Sequence, residues 1–563
     1  MGGSDVKRVR KFGLILTLIL SLVVTACSSQ PAESQQPADK PADNASADTP
    51  AASSEDTVLE ISTVRAQDPY LKFDEGENFD KNAVYDAYEK DVGVRIKNQW
   101  VVDGVVNGAQ FQEKLKMAIA TNDIPDFFPA TPAQVQQLIE ADMIQDLTSV
   151  YEQYATDETK EFMQKDGGLQ MKSGTFDGKL MAIPQTGNPF APQLVWVRSD
   201  WLKKLNLPEP KTMQDLMTIM EAFATKDPGG TGKAYGLALN KKFDEGALGL
   251  VGFLNGYHAY LNQWMEDGQG GLMNSDIQPE MKEALRALQE MFKKGLIDPE
   301  FAVKDMQKAS EFIFSEKIGV LYGAEWTPAH LAQAAVKDGK VVQEWSVYRL
   351  PSIDGTEAST QIELGTESYY VVSKNAKHPE ALIKLLNQWI EVDNHPTPEQ
   401  KVYEYGKDLK EKGNNYWLLN PVMAFNLTSD NGEVLPKAIE TKDESLPKTK
   451  DQKTRFERAM KYVNGEDISM WWEYLISGPN GAVSNIPYLK EHNLFHQNKF
   501  WGAPTPTMVE KREILNRKRD EIFMKIIMNQ VSIDEFDKFV ADWKKLGGDE
   551  ITKEVNEWYA KNK

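Results

Sequence analysis

Beyond its first tenth, the chain alternates predicted strands and helices, and this order limits the folds that it can adopt. Residues 57–64 alternate apolar with polar or small side chains, as a β-strand does, and a second strand is predicted at 94–101. Helices are predicted at 79–89 and 110–120, and a short third strand follows at 123–128. Strand, helix, strand, helix and strand in this order predict a parallel sheet with helices on its faces.

A second set of α/β elements follows further along the chain. A strand at 193–198 leads into a helix, and residues 362–372 predict another apolar strand. The C-terminal 55 residues predict helices, one of them opened by a capping box at 532–535 and ended by Gly547 and Gly548. Between these parts, strands are predicted at 235–239 and 318–322 and a helix at 279–294.

The first 27 residues have the organisation of an export signal. Cationic residues precede an almost wholly apolar run at residues 12–24, and Cys27 follows it. The run is shorter than the ~20 apolar residues of a transmembrane helix. The segment resembles a bacterial lipobox, and the resemblance implies a signal peptide over residues 1–26 and a lipid attached to Cys27. The alternative is that Cys27 is an ordinary small residue in a secretory signal that is cleaved elsewhere.

Residues 28–56 consist almost entirely of Ala, Pro, Ser, Gln and Asp, without aromatic or large aliphatic side chains. Such a segment buries too little apolar surface to offset the entropy of ordering it. We therefore interpret residues 27–57 as a lipidated, disordered tether. With the export signal, it predicts a protein anchored at the extracytoplasmic face of the cell membrane, on a Gram-positive surface.

Composition excludes several classes of protein. Cys27 is the only cysteine, so a disulfide framework and a thiolate metal site are both excluded, and stability must come from apolar cores. The formal net charge of −20 argues against binding to nucleic acid, whose phosphates it would repel.

Five segments of the folded part, taken in order, resemble the extracellular solute-binding proteins of carbohydrate ABC importers. This group includes maltose-binding protein and larger Gram-positive lipoproteins. Each segment alone is a weak signal, but their common order behind a lipobox is specific. The matching segments are KLKMAIATNDIPD at 114–126, VRSDWLKKL at 197–205, FSEKIGVLYGAEW at 314–326, VSKNAKHPE at 372–380, and the C-terminal DEF, KLGG and NEWY at 534–536, 545–548 and 556–559.

The resemblance implies an α/β fold of two lobes, the type II periplasmic-binding-protein-like fold, with a ligand cleft between them. It implies a first lobe from residues 58–188 and 367–430, and a second lobe from 189–366 and 431–563 that includes the C-terminal helices. The chain would cross between the lobes near 187–193 and 364–370, which glycine and proline flank, as hinges tolerate.

A sugar-binding site needs aromatic faces together with carboxylates, amides and cationic donors, because sugars present C–H faces and hydroxyls. The resemblance implies a stacking role for Trp326, although this side chain could equally pack under the helix that begins at Thr327. Asp126 could instead cap local backbone amides, and at least one residue of the Trp471–Trp472 pair should be core. The candidate ligand-binding residues are Arg65, Gln67, Asp126, Phe128, Gln185, Tyr257, Tyr322, Trp326, Glu367 and Trp472, and Asp68 and Asn188 lie at the same predicted cleft.

Metal and cofactor sites are not predicted. The loop at 225–233 keeps Asp227 but lacks the further alternating carboxylates that calcium needs. His492 and His496 have helical ligand spacing, but without an adjacent Glu or a third ligand they predict zinc only weakly.

These observations favour a monomeric, non-enzymatic lipoprotein that captures an oligosaccharide by lobe closure and delivers it to an ABC permease. A surface glycoside hydrolase is an alternative, because 84 acidic residues could supply a catalytic pair of carboxyl groups. A peptide-binding lipoprotein or adhesin is another. Whether the sugar is neutral or uronic stays open, and an acidic ligand would need cations such as Arg65 or Arg198.

Overall fold

The structure is a computed structural model, and it describes residues 58–188, 190–366, 368–395, 397–410, 413–425 and 430–563. The predicted signal peptide, Cys27 and the tether lie outside the described residues, and so does Glu367. In the described ranges, no helix has the length and apolar character needed to cross a membrane.

Strands and helices alternate over most of the described chain. The strands are β1 (Leu59–Gln67), β2 (Val94–Asp103), β3 (Phe127–Ala130), β4 (Thr175–Phe176), β5 (Lys179–Leu180), β6 (Ile183–Pro184), β7 (Leu194–Arg198), β8 (Trp264–Glu266), β9 (Leu272–Asn274), β10 (Val320–Gly323), β11 (Val336–Lys337), β12 (Lys340–Val341), β13 (Trp345–Tyr348), β14 (Thr360–Ile362), β15 (Tyr369–Val372) and β16 (Phe495–Gln497). The α-helices are α1 (Ala83–Val92), α2 (Ala109–Thr121), α3 (Pro132–Glu140), α4 (Thr148–Tyr154), α5 (Asp157–Phe162), α6 (Leu169–Ser173), α7 (Ser199–Leu205), α8 (Met213–Lys226), α9 (Val251–Gly256), α10 (Pro279–Lys293), α11 (Met306–Phe314), α12 (Thr327–Ala335), α13 (Glu380–Asn394), α14 (Val402–Tyr405), α15 (Asn431–Thr441), α16 (Lys450–Val463), α17 (Trp471–Ser477), α18 (Ile486–Glu491), α19 (Pro506–Ile527), α20 (Glu535–Trp543) and α21 (Asp549–Asn562).

The predicted parallel pair at the start of the folded part is confirmed, but its third strand is not. β1 and β2 pair in parallel, with α1 as their crossover. β3 instead pairs antiparallel with β15, which also pairs with β6. Side-chain bonds link β1 to the start of β3: the main-chain N–H and hydroxyl of Ser62 donate to Asp126 Oδ2 at 2.8 Å and 2.6 Å. The prediction of a single parallel sheet was therefore wrong at β3.

The second set of elements centres on an antiparallel sheet with the order β10-β7-β13. The strand predicted at 235–239 is reduced to isolated bridges, from Tyr235 to Ile318 and from Leu237 to Ile297. The strand predicted at 362–372 is divided between β14 and β15, and β14 pairs in parallel with the distant β16. The crossover between the two halves is thus irregular, with a strand on each side of it.

The predicted C-terminal helices are confirmed as α19, α20 and α21, and Gly547 (φ 129°) lies in the π-helical turn between the last two. The predicted capping box at Ser532 does not form. The hydroxyl of Ser532 accepts from the N–H of Asp534 at 3.3 Å and donates to the Asp534 carboxylate, so Glu535 begins the helix without a box.

Most buried apolar side chains belong to two sets of clusters built from different parts of the chain, and smaller clusters lie at 435–459 and 476–486. The first core draws on residues 61–183 and 369–424. The second core draws on residues 194–358 and 471–555. The chain therefore passes from the first core to the second and back before it ends in the second.

Helix α13, which is part of the first core, and helix α16 flank a small cavity that is lined by several acidic side chains. Burial of Asp393 raises its pKa from 3.8 to about 6, the charge of Lys450 opposes this increase, and Asp451 adds to it. Lys165 and Asp430 form an ion pair at the same cavity, with an Nζ–Oδ2 distance of 3.4 Å.

We expect Asp393→Asn to raise the free energy of unfolding at pH 7.5 by about 1–3 kcal/mol, since each pKa unit corresponds to 1.36 kcal/mol. The folded protein keeps the carboxyl proton of Asp393 to a higher pH than the unfolded chain does. The associated stability is therefore complete below about pH 4 and is lost as the pH rises through about 6. Urea titrations at pH 4 and pH 7.5 measure the difference. Glu440→Gln, on the exposed side of α15, is a charge-matched control, and an equal gain at both pH values would contradict the prediction.

Candidate functional site

The exit of strand β10 carries a partly exposed aromatic residue that follows a buried glutamate in the sequence. All four residues of β10 are buried, and α12 begins only four residues after the strand ends. Between them, Trp326 is 40% exposed and Glu325 is 8% exposed. A partly exposed tryptophan at the end of a buried strand is a surface that could stack against a ligand.

Two other segments reach Trp326. A Cβ atom at Gly246 would lie 2.9 Å from Cζ2 of Trp326, so the loop approaches the ring closely because residue 246 has no side chain. The Gly246 carbonyl accepts from the N–H of Ala324 at 2.8 Å and from Nε2 of Gln193 at 3.3 Å. The loop before α9, the crossover near residue 193 and the end of β10 therefore meet at this ring.

Glu325 has an unused acceptor in this environment. Its Oε1 accepts from Nδ2 of Asn188 at 3.4 Å, and its Oε2 is buried without a hydrogen-bond partner among the described residues. Burial raises the pKa of Glu325, whereas the nearby positive charge of Arg455 lowers it. A buried carboxyl oxygen without a partner is costly, so a hydroxyl donor would be favoured there.

Arg455 is the positive charge that acts on Glu325, and it also pairs with Glu473. Nη1 of Arg455 approaches Oε1 of Glu473 at 3.3 Å, and its Nε donates to Asp451 at 3.0 Å. Burial raises the pKa of Glu473, and its Oε2 also lacks a partner among the described residues. The guanidinium is thus already shared between two carboxylates.

Further aromatic rings lie close to the first crossover. Phe190 packs edge-on against Phe495, with ring centroids 5.3 Å apart, and the partly buried Trp472 joins the same apolar cluster. Nζ of Lys490 lies 4.5 Å from the centre of the Phe190 ring. Helix α17, which begins at Trp471, packs against α12. Aromatic rings and polar groups therefore occupy the same region of the second half.

The two crossovers touch through glycines. A Cβ atom at Gly187 would lie 2.1 Å from the carbonyl oxygen of Gly365, which leaves no room for a side chain. Next to this contact, the N–H of Gln185 donates to the carbonyl of Ser368 at 2.9 Å, and the Ser368 hydroxyl donates to the Gln185 side chain. Hinge motion would therefore move both crossovers together.

Residues 74–391 match the family described as bacterial extracellular solute-binding protein. The chain belongs to this family. It is 24% identical over 496 residues to "Lipoprotein LipO" of Bacillus subtilis (86% of this chain, 90% of the relative), and 23% identical over 493 residues to "Polygalacturonan/rhamnogalacturonan-binding protein YtcQ" of the same organism (86% and 89%).

A solved structure of an HMO-binding, ABC-transporter-associated solute-binding protein from Bifidobacterium longum infantis has the same fold, with a TM-score of 0.59 at 16% identity. The match covers 89% of this chain and 98% of that one. The predicted family and the two-lobe, periplasmic-binding-protein-like α/β fold are thus confirmed.

Some predicted ligand contacts of this solute-binding protein lie in its interior. Phe128 and Tyr322 are fully buried, because the short strands that carry them are covered on both faces. Tyr257 stacks on Phe253, with ring centroids 5.2 Å apart, and burial raises its pKa to about 12. Tyr257 is half-buried, and a role for these three side chains in ligand binding stays a prediction. Trp471 is core, as one member of the tryptophan pair was predicted to be.

Predicted contacts on the other side of the crossovers are engaged in local structure. Arg65 donates to the main-chain carbonyls of Leu418 and Asn420, the latter at 2.9 Å. Asp126 bonds Ser62, as described above, and Gln185 bonds Ser368. Gln67 is exposed at the end of β1. The role of these side chains in ligand binding stays a prediction.

Several residues of the site were not among the predicted contacts. Glu325 directly precedes Trp326 in the sequence, and that position was the available signal. Arg455 and Asp451 are four residues apart on α16, which reads as an ordinary surface ion pair. No sequence signal marked Glu363, whose Oε1 accepts from Nε2 of Gln263 at 2.9 Å at the second crossover.

Possible metal ligands do not support a further site. Asp227 accepts from the N–H of Gly232 at 2.7 Å and from the Thr231 hydroxyl, so local donors engage this carboxylate. His492 ends α18 and stacks on Tyr488, whereas His496 lies in β16 and stacks on Tyr260, so they do not share a helix. Potential ligand atoms of Glu158, Glu391 and His395 lie within 4.8 Å of one another, but such exposed acidic groups are common without an ion.

Proposed function

We propose that this solute-binding protein captures an oligosaccharide between two lobes and delivers it to an ABC permease. The observation that carries the proposal is the partly exposed ring of Trp326, next in sequence to Glu325, one carboxyl oxygen of which has no partner among the described residues. A sugar ring can stack on the former and donate a hydroxyl to the latter. The names of YtcQ, a polysaccharide-binding protein, and of the ABC-associated structure support this proposal.

We propose lobes with the predicted boundaries, 58–188 with 367–430 and 189–366 with 431–563. The two separate apolar cores support this division. Ligand contacts would come from Trp326, Trp472, Glu325 and Asn188, and from Arg65, Gln67, Asp126 and Gln185 across the cleft. Only contacts made in the closed form shift the equilibrium towards closure.

The membrane attachment is part of the same proposal. A signal peptide that ends before Cys27 and a lipid on this cysteine would hold the protein at the extracytoplasmic face, near its permease. LipO, a relative of similar length, is called a lipoprotein. We propose that the protein acts as a monomer without a cofactor.

Calorimetric titration of the purified folded part with neutral and uronic oligosaccharides tests the proposal. We expect saturable binding with a micromolar dissociation constant, which corresponds to about −8.2 kcal/mol, and a smaller radius of gyration in small-angle scattering when ligand is present. Release of reducing ends from a bound oligosaccharide would indicate a glycoside hydrolase instead. Binding of peptides but of no sugar would favour the peptide-binding alternative.

A further inference from the structure

Carboxyl groups surround the site on the second half of the chain. Glu325 and Glu473 are buried and each keeps one oxygen without a partner among the described residues, and Oε2 of Glu245, next to Gly246, is in the same situation. At the second crossover, burial raises the pKa of Glu363, while hydrogen bonds with Gln361 and Gln263 and the charge of Arg512 oppose this increase. The region therefore offers an excess of carboxyl oxygens as hydrogen-bond acceptors.

The arginines that an acidic ligand would need are already paired. Arg198 is 2% exposed and forms ion pairs with Asp200 and Glu316, at 2.7 Å and 2.6 Å. Arg65 donates to two main-chain carbonyls, and Arg455 is held by Asp451 and Glu473. A uronate carboxylate would have to compete with these existing partners for a bidentate guanidinium.

We infer that the captured oligosaccharide is uncharged and that the carboxyl groups beside Trp326 discriminate against oligouronates. This inference rests on the proposed function and narrows its substrate class. A neutral sugar offers hydroxyl donors, and Oε2 of Glu325 and Oε2 of Glu245 are buried acceptors without a partner among the described residues. A uronate brings a carboxylate towards like charges in a partly buried site, which costs affinity through repulsion and desolvation. The ligand of this chain would thus differ in charge from the polygalacturonan named for YtcQ.

The test uses pairs of oligosaccharides that differ only in charge. Oligogalacturonides, oligomannuronides and oligoglucuronides of three to four residues are each compared with their carboxyl-reduced counterparts, which keep linkage and length and replace the carboxylate with a hydroxymethyl group. Titrations are made at pH 7.5 and moderate salt. We expect at least one neutral member to bind and its uronic partner to bind at least tenfold more weakly, a difference of about 1.4 kcal/mol.

Two variants test whether the carboxyl groups cause the weaker binding of uronates. Glu325→Gln and Glu363→Gln keep the side-chain shape and remove the charge. We expect the ratio of neutral to uronic affinity to fall at least threefold in each variant, whatever happens to the absolute affinities. Thermal melting checks that both variants fold.

The outcomes are distinguishable. A uronic member that binds as tightly as its reduced partner, or more tightly, overturns the inference but leaves oligosaccharide capture standing. Binding of no oligosaccharide of either kind, including those in the wider panel, overturns the proposed function and this inference with it. If neither variant changes the ratio of neutral to uronic affinity, these carboxyl groups do not cause the discrimination against uronates.

Discussion

Trp326→Ala is expected to weaken oligosaccharide binding by about 30- to 100-fold, because truncating a central aromatic contact typically costs 2 kcal/mol or more. The ring is 40% exposed and lies just before α12. Its loss should therefore change the melting temperature little. Titration calorimetry with the bound sugar measures the affinity, and a thermal melt without ligand measures the stability.

Trp501→Ala provides the matched control for this experiment. Trp501 is also partly buried, but it packs against Trp558 of α21, with ring centroids 4.7 Å apart, away from Trp326. We expect unchanged affinity in this variant. If Trp326→Ala binds sugar as the unmodified protein does, then Trp326 is only a packing residue above α12 and the site must be sought elsewhere.

Arg519→Met is expected to lower the free energy of unfolding by about 3–5 kcal/mol, the usual cost of removing one partner from a buried ion pair. Nη1 of Arg519 lies 3.0 Å from Oδ2 of Asp276, and both side chains are 3% exposed. The substitution leaves the Asp276 carboxylate buried beside α19 without its counter-charge. Urea unfolding monitored by circular dichroism gives the difference from the midpoint and the slope.

The double variant Arg519→Met with Asp276→Asn separates charge burial from packing. Asparagine removes the orphaned charge and can still accept the N–H of Asn262, which now donates to Asp276 at 2.9 Å. We expect the double variant to recover more than half of the lost stability. A single variant that loses less than about 1 kcal/mol would mean that the pair is solvated and contributes like a surface pair.

Local sequence signals predicted the helices well and the strand partners poorly. The helix predicted at 279–294 is α10, Pro279–Lys293, because a proline in the first turn and a regular apolar stripe define it locally. The partner of β3 is β15, some 240 residues further along the chain. No local pattern in a four-residue apolar strand identifies such a partner, so the parallel arrangement was the natural but incorrect expectation.

The site was predictable only where a motif marked it. Trp326 was identified from the segment that resembles the family. The ion pair between Arg455 and Glu473, and the effect of Arg455 on the pKa of Glu325, connect residues of α16, α17 and the segment before α12. No local motif links these three elements. Tyr322 and Phe128 are buried, as are both faces of their strands. Alternation along such strands does not tell which side chains reach a cleft.

The two cores also determine when the chain can fold during its synthesis. The first core needs residues 369–424 in addition to 61–183, and the second needs residues up to 555. A nascent chain emerges from its N-terminus, so the early segment must wait for about 240 further residues before its interior can close. Until then its apolar side chains stay uncovered, and they present targets for chaperones and for aggregation.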